Sequence, residues 1–307
     1  MSASTSSSRF VIDWGTSNFR AYRFGEDGQI AQTHHAPCGI LTVEDKNFAA
    51  VLHAQIGSWL HPGDQLYFSG MITSRNGWIE TPYVDAPARL EDLARHAVHC
   101  PGEAGQDYLF LPGVCMRQPT ADVMRGEEIQ VFGSLREGEQ DATVILPGTH
   151  SKWVRVQAGI LQHFVTHMTG EVFAVMKHHS ILGRLMADAP QELDQEAFLK
   201  GVAQAKSTPS AGLLHDLFTA RSAVLLEQLP ARSCQDYLSG LVIGHECVAG
   251  LQGTLSAGAV VLVGDAGLCQ RYHMALLACD PHLSSRLRMG PAEASVTGFM
   301  RLHRAMN

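Results

Sequence analysis

Apolar and polar positions change their period several times along this chain, and the changes predict its elements. Phe10–Phe24 (FVIDWGTSNFRAYRF) is a β-branched and aromatic run, broken by Gly-Thr-Ser-Asn and then resumed with alternation. With Gln29–Ala36 it predicts antiparallel strands turned at Gly15–Asn18 and Gly25–Gly28. Helical spacing covers Phe48–Leu60, a short apolar strand spans Gln65–Ser69, and Arg75–Tyr83 reads as a loop. A helix over Leu90–His99, a strand over Tyr108–Leu111 and a helix over Arg125–Leu135 follow, the last with Gly133 on a crowded face.

The pattern then restarts. Strands are expected at Val144–Leu146, Trp153–Gln157 and Ile160–Thr166, then helices at Glu171–His179, Gln195–Ala205, Leu213–Gln228 and Gln235–Gln252. Ala259–Val263 (AVVLV) has the continuous apolar character of a buried strand and ends in Gly264-Asp265-Ala266-Gly267. A further helix, a short strand at Leu287–Arg288 and a helix over Pro291–His303 close the chain. Strand hairpins followed by alternating helices and strands, twice over, argue for an α/β protein with mixed sheets flanked by helices. At 307 residues two domains are expected, and the restart puts them at 1–140 and 141–307.

The restart is also an echo. Aligning Gly15 with Gly148 pairs Thr16 with Thr149 and Asn18 with Ser151, so each half opens on a strand, a Gly-Thr turn and a second strand. Such turns bring backbone N–H groups and short hydroxyls up to an anion, which points to phosphate and hence to a nucleotide. Composition narrows the partner. A net charge of −7 with scattered Lys and Arg disfavours nucleic acid or an anionic membrane. Seven cysteines without CxxC pairing read as reduced thiols of a cytoplasmic protein, and no apolar stretch approaches membrane-spanning length. The polar start MSASTSSS reads as a tail rather than a signal peptide.

Candidate chemistry sits at five places. Asp13, ending a strand before Gly15, Thr16, Ser17 and Asn18, can hold Mg²⁺ or simply cap a turn. Gly148, Thr149, His150 and Lys152 repeat the turn with added positive character, while Leu146 stands where the first copy has Asp13. Gly264 and Asp265 follow a buried strand, where ligands approach helix N-termini. Asp122, Glu127 and Glu128 surround Arg125 at the end of the first half; each carboxylate serves as a general base or as a helix cap. Ser74, Arg75, Asn76 and Trp78 form a polar loop suited to an acidic, sugar-like substrate, and Glu171 follows Thr169-Gly170. GxxxxGK[ST], GxGxxG, HExxH and GxSxG are all missing from the sequence.

These stretches resemble the sugar kinase/heat-shock/actin superfamily and, more closely, the 2-keto-3-deoxygalactonokinase family, through IDWGTSNFRAY, SGMITSRNGW, VMRGEEIQVFG, LPGTHSKWV, MTGE and SGLVIGHE. The resemblance implies two duplicated ribonuclease-H-like (actin-like ATPase) domains with mixed five-stranded sheets and a cleft between lobes. It implies phosphoryl transfer from MgATP to the C6 hydroxyl of 2-dehydro-3-deoxy-D-galactonate, a step of galactonate catabolism. Asp13 would then hold the metal, Gly15–Asn18 and Gly148–His150 would cradle the phosphates, and Gly264-Asp265 would stand at the adenosine site. Arg125, Lys152, Glu171 and the Ser74–Trp78 loop become substrate contacts. The base is Glu128, Glu127 or Asp122, with the glutamates favoured by similarity to polyphosphate-processing relatives. Oligomeric state stays open, a homodimer among the options.

Overall fold

The computed structural model describes residues 7–25, 27–186, 192–207 and 212–306, so most of the expected N-terminal tail lies outside the described residues. In chain order the elements are β1 (Arg9–Trp14), β2 (Phe19–Phe24), β3 (Ile30–Ala36), α1 (Phe48–Ile56), β4 (Gln65–Ser69), β5 (Tyr83–Asp85), α2 (Leu90–Arg95), β6 (Val98–Pro101), β7 (Asp107–Phe110), β8 (Gly113–Met116), β9 (Asp122–Met124) and α3 (Glu127–Ser134). They continue with β10 (Ala142–Leu146), β11 (Ser151–Gln157), β12 (Ile160–His167), α4 (Thr169–His179), α5 (Gln195–Ser207), α6 (Gly212–Leu225), α7 (Cys234–Gly253), β13 (Ala259–Leu262), α8 (Ala266–Cys279), β14 (Leu287–Met289) and α9 (Ala294–Met306).

Contacts divide the chain into two units. The first runs to Glu137 and regains Ile160–Gln162 and the chain from Glu293; the second takes Gly138–Gly159 and His163–Ala292. The C-terminal helix therefore packs with the first unit, whereas the sequence expectation assigned everything after 140 to the second. Its reason is a close crossing of α9 on α3: a methyl group on Gly133 would meet the Ala294 carbonyl, and one on Gly298 the Ile129 carbonyl. Arg301 fastens the crossing by donating to the carbonyls of Phe132 and Leu135.

The first unit is built on a sheet ordered β3-β2-β1-β4-β7-β6, with β1, β4 and β7 parallel at its centre. Phe10, Ile12 and Trp14 of β1 are wholly buried with Phe19, Phe48, Phe68 and Phe110. The sixth strand corrects the expected Leu90–His99 helix, which ends at Arg95. Val98–Pro101 alternates in burial and extends the β7 ladder antiparallel, Val98 opposite Phe110. A small sheet, β5-β8-β9, comes from runs too short to show a period.

The second unit repeats the theme with five strands, β12-β11-β10-β13-β14. β10 is buried along its whole length, as a central strand covered on both faces should be. Helices α5 and α7 cross at Gly201 and Gly240, where added methyls would strike the carbonyls of Tyr237 and Phe198. Ile145, Phe198, Leu238, Leu241 and Leu262 lie in the core there. The cysteines Cys38, Cys100, Cys115, Cys234, Cys247, Cys269 and Cys279 are all free thiols. No helix among the described residues is long and apolar enough to cross a membrane.

Candidate active site

In the first unit the ends of β1 and β4 and the start of α3 meet at two glycines that only glycine tolerates. Gly70 has φ +89° and Gly126 φ +103°, and a methyl on Gly126 would stand 3.0 Å from the Gly70 Cα. A methyl on Gly70 would come within 3.3 Å of the Asp13 Oδ1. The bare backbones thus let Asp13, Ser69, Glu127 and Glu128 gather at one corner.

Asp13 is part-buried, with 18% of its side chain exposed, and Arg20 approaches its Oδ2 at 3.5 Å from the opposite position on β2. Loss of hydration holds its carboxyl above the usual range; the Arg20 charge pulls it down and the Glu127 charge pushes it up. Glu128 is 1% exposed, and both of its oxygens accept from the Gly126 N–H at 2.8 Å. Burial, then the neighbouring Glu127 charge, push its carboxyl up to about 8 against the backbone N–H donors and Arg125. Glu127 accepts from the Arg125 N–H at 2.9 Å. Asp122 opens β9 and turns its Oδ1 to the Val123 N–H at 2.8 Å, so it is a strand residue, not a helix cap.

Arg125 proves to be a clamp. Its Nη1 donates to the Thr73 carbonyl and hydroxyl at 2.8 Å and to the Thr81 hydroxyl at 2.5 Å; Nη2 reaches the Thr81 carbonyl at 3.1 Å. Its guanidinium lies 4.3 Å over the Tyr83 ring. These bonds fix the segment that carries Glu127 and Glu128. The buried Ser69 hydroxyl, in register with Asp13, has no hydrogen-bond partner among the described residues. In the loop beyond Gly70, Arg75 and Asn76 are exposed, and the Ser74 hydroxyl donates to the Met71 carbonyl at 2.7 Å. Trp78 is accounted for by packing, with its ring 5.6 Å from Tyr108 and Phe110 and 5.7 Å from Phe68.

The first Gly-Thr turn is tightened by the Gly15 N–H, which donates to the Asn18 carbonyl at 2.9 Å, and Thr16, Ser17 and Asn18 are exposed. In the second unit the equivalent turn is held from below. Trp153 Nε1 and the Tyr272 hydroxyl both donate to buried Glu246, at 2.8 and 2.5 Å, and Ser151 Oγ lies 2.8 Å from the Tyr272 oxygen. Because the Tyr272 proton is committed to the carboxylate, Ser151 donates to Tyr272, or to the Gly148 carbonyl at 3.4 Å, and accepts from the Gly148 N–H at 3.3 Å. Either way Ser151 is engaged within the protein, while Thr149 and His150 of the same turn are exposed.

Helix α4 presses on the same turn. The Glu171 N–H donates to the Thr149 carbonyl at 3.0 Å, and the Glu171 carboxylate sits 2.5 Å from His150 Nε2. Lys152 is 4% exposed and its ammonium donates to the His150 carbonyl at 3.1 Å, which supports the turn from inside. Gly264 has φ +141°, and Asp265 caps α8 by accepting from the Leu268 N–H at 2.9 Å. Between these turns lies a cavity of about 490 Å³ lined by Gly148, Thr149, Gly170, Asp265, Ser239 and Arg271 among others. That volume suits a nucleoside-sized ligand.

The 2-keto-3-deoxy-galactonokinase family profile matches residues 13–302, from Asp13 through both turns to α9. This chain belongs to that family. It is a family of carbohydrate phosphotransferases. A relative from Rhizobium meliloti named "Probable 2-dehydro-3-deoxygalactonokinase DgoK1" is 35% identical over 270 residues, 87% of this chain and 88% of the relative. The Escherichia coli K12 protein named 2-dehydro-3-deoxygalactonokinase is 31% identical over 273 residues, 88% and 90% of the two chains. A crystal structure of a candidate 2-dehydro-3-deoxygalactonokinase from Sinorhizobium meliloti superposes with a TM-score of 0.88 at 33% identity, covering 97% of this chain and 99% of that one.

Sequence reasoning missed Arg271, Ser239 and Gln235 of the cavity. Arg271 Nη1 donates to Asp236 at 3.0 Å and to Ser239 at 3.2 Å, a link between helices that no local spacing announces. It also missed Thr81. At this corner the part-buried Asp13 carboxylate and the unpartnered Ser69 hydroxyl beside it are oxygen donors, the kind magnesium takes when one or two carboxylates are joined by water and phosphate oxygens.

Proposed function

We propose that this chain transfers the terminal phosphoryl group of ATP to the C6 hydroxyl of 2-dehydro-3-deoxy-D-galactonate, in galactonate catabolism in the cytoplasm. The observation that carries the reading is the family match across residues 13–302, which spans every turn and carboxylate described above. Asp13 would hold Mg²⁺. That ion, when bound, offsets the negative charge of the phosphates.

Glu128 is the base. It takes the hydroxyl proton on a carboxylate oxygen as the sugar oxygen bonds to phosphorus and the bond to ADP breaks. A carboxyl pushed up to about 8 is matched to proton transfer near neutral pH. Arg125, clamped by Thr73 and Thr81, keeps Glu128 in place, and Gly126 supplies the N–H that orients it. Exposed Arg75 and Asn76 receive the sugar acid, the guanidinium matching its carboxylate. In the second unit the backbone of Gly148–His150 holds phosphate oxygens, and the cavity beside Gly264-Asp265 takes the nucleoside.

The test is a coupled ADP-release assay against a panel of 2-keto-3-deoxy sugar acids, with the product's phosphorylated carbon located by NMR. Release of ADP that depends on the galacto acid and gives a 6-phosphate is expected. Consumption of ATP without any sugar acid would instead mark a phosphoanhydride hydrolase.

A further inference from the structure

A second cavity, of about 260 Å³, opens in the first unit at the other end of β1 from the catalytic corner. Arg9 begins β1, and Asp13 lies four residues on, roughly 13 Å along the strand. The floor is apolar, made by Val11, Phe24, Phe299 and Met300. Arg9 and Arg304 stand on its wall, and neither has an ion pair or side-chain hydrogen bond among the described residues. Arg304 complements the C-terminal end of α9, but nothing of that kind explains Arg9 on a strand. Among the described residues lining the cavity the one carboxylate is Asp27, which already accepts from the Gln29 N–H at 2.9 Å. Tyr67 and His303 complete the wall, joined at 2.8 Å. Burial, and then Arg9, hold His303 below its usual protonation range, as a positive pocket should.

We infer that this cavity binds a small monocarboxylate with an apolar body. Two guanidinium groups facing one engaged carboxylate leave about one positive charge to neutralise, which selects a monoanion over a di- or trianion. The floor excludes water from the rest of the ligand, and a guanidinium meets a carboxylate through paired N–H donors. Neither arginine belongs to the catalytic machinery, so the site is separable from turnover.

Calorimetry on the full chain with benzoate, and with benzyl alcohol as the uncharged control, tests the assignment. One benzoate per chain should bind with a Kd tighter than about 1 mM, and benzyl alcohol at least about tenfold more weakly. Arg9→Gln and Arg304→Gln should each weaken benzoate about tenfold or more while leaving sugar-acid phosphorylation unchanged. Arg304 is exposed, so its variant carries the test even if Arg9→Gln does not fold. Benzoate binding weaker than that limit, or unaltered in Arg304→Gln, overturns the proposal.

Discussion

Replacing Glu128 by Gln should stabilise the fold and disable the enzyme, and the two effects share one cause. The Glu128 carboxyl titrates at about 8 in the folded protein against an ordinary value of 4.5. A carboxyl raised on folding holds its proton longer in the native state, so the wild type loses stability as pH climbs from about 4.5 to about 8. Below that window both states are protonated and nothing is lost; above it the full cost is present. Three and a half pH units at about 1.36 kcal/mol each give a ceiling near 5 kcal/mol, which water entry and relaxation of the pocket reduce to about 2–5 kcal/mol.

Glutamine keeps the shape and an acceptor for the Gly126 N–H but never ionises. The difference in unfolding free energy between E128Q and wild type, followed by denaturant titration from pH 4 to pH 9, should therefore rise across that window in favour of the variant. Turnover should fall by about 10²–10⁴ because the proton acceptor is gone, and the wild-type kcat/KM should climb with pH towards a limb near 8. A stability difference that is flat with pH would refute the buried, proton-holding state of Glu128. Near-normal turnover in E128Q would refute its role as base.

Other perturbations separate the remaining parts. Asp13→Asn should lower turnover at least about 10²-fold with little change in melting temperature, and near-normal kinetics would remove Asp13 from metal handling. Tyr272→Phe removes one partner of Ser151 and strands one oxygen of buried Glu246, so KM for ATP should rise several-fold more than kcat falls, with about 1–3 kcal/mol of stability lost; an unchanged KM would detach the relay from the turn. Gly298→Val drives a side chain into the Ile129 carbonyl at the α3–α9 crossing and should cost about 1–3 kcal/mol or more in denaturant unfolding.

What could be read in the chain was what the chain says locally. The Gly-Thr turns, the buried strands and the Glu127-Glu128 helix start each announce themselves within a few residues. Arg125 does not, because its partners Thr81 and Thr73 lie 44 and 52 positions away and a lone arginine reads equally as a substrate contact. Trp78 misleads for the same reason: in a loop of Asn and Gly it looks like a sugar platform, but Phe68, Tyr108 and Phe110 converge on it from other strands. β6 was hidden because Leu90–His99 holds helical spacing across the point where pairing with β7 takes over.

The two turns show what duplication conserved and what it released. In the first copy Asp13 faces Arg20 across the hairpin, and the pair can exchange partners with a metal or a phosphate because both side chains keep solvent access. In the second copy Leu146 faces Lys152. Lys152 is buried there and donates inward to the His150 carbonyl. The second turn has a further anchor that holds it in place. Ser151, Tyr272, Glu246 and Trp153 supply one from the core, through groups with almost no exposure. Under the proposed function, the first turn suits a titratable, metal-facing role. On the same reading the second suits a rigid backbone cradle, so substitutions at Tyr272 should register in nucleotide affinity while those at Asp13 register in turnover.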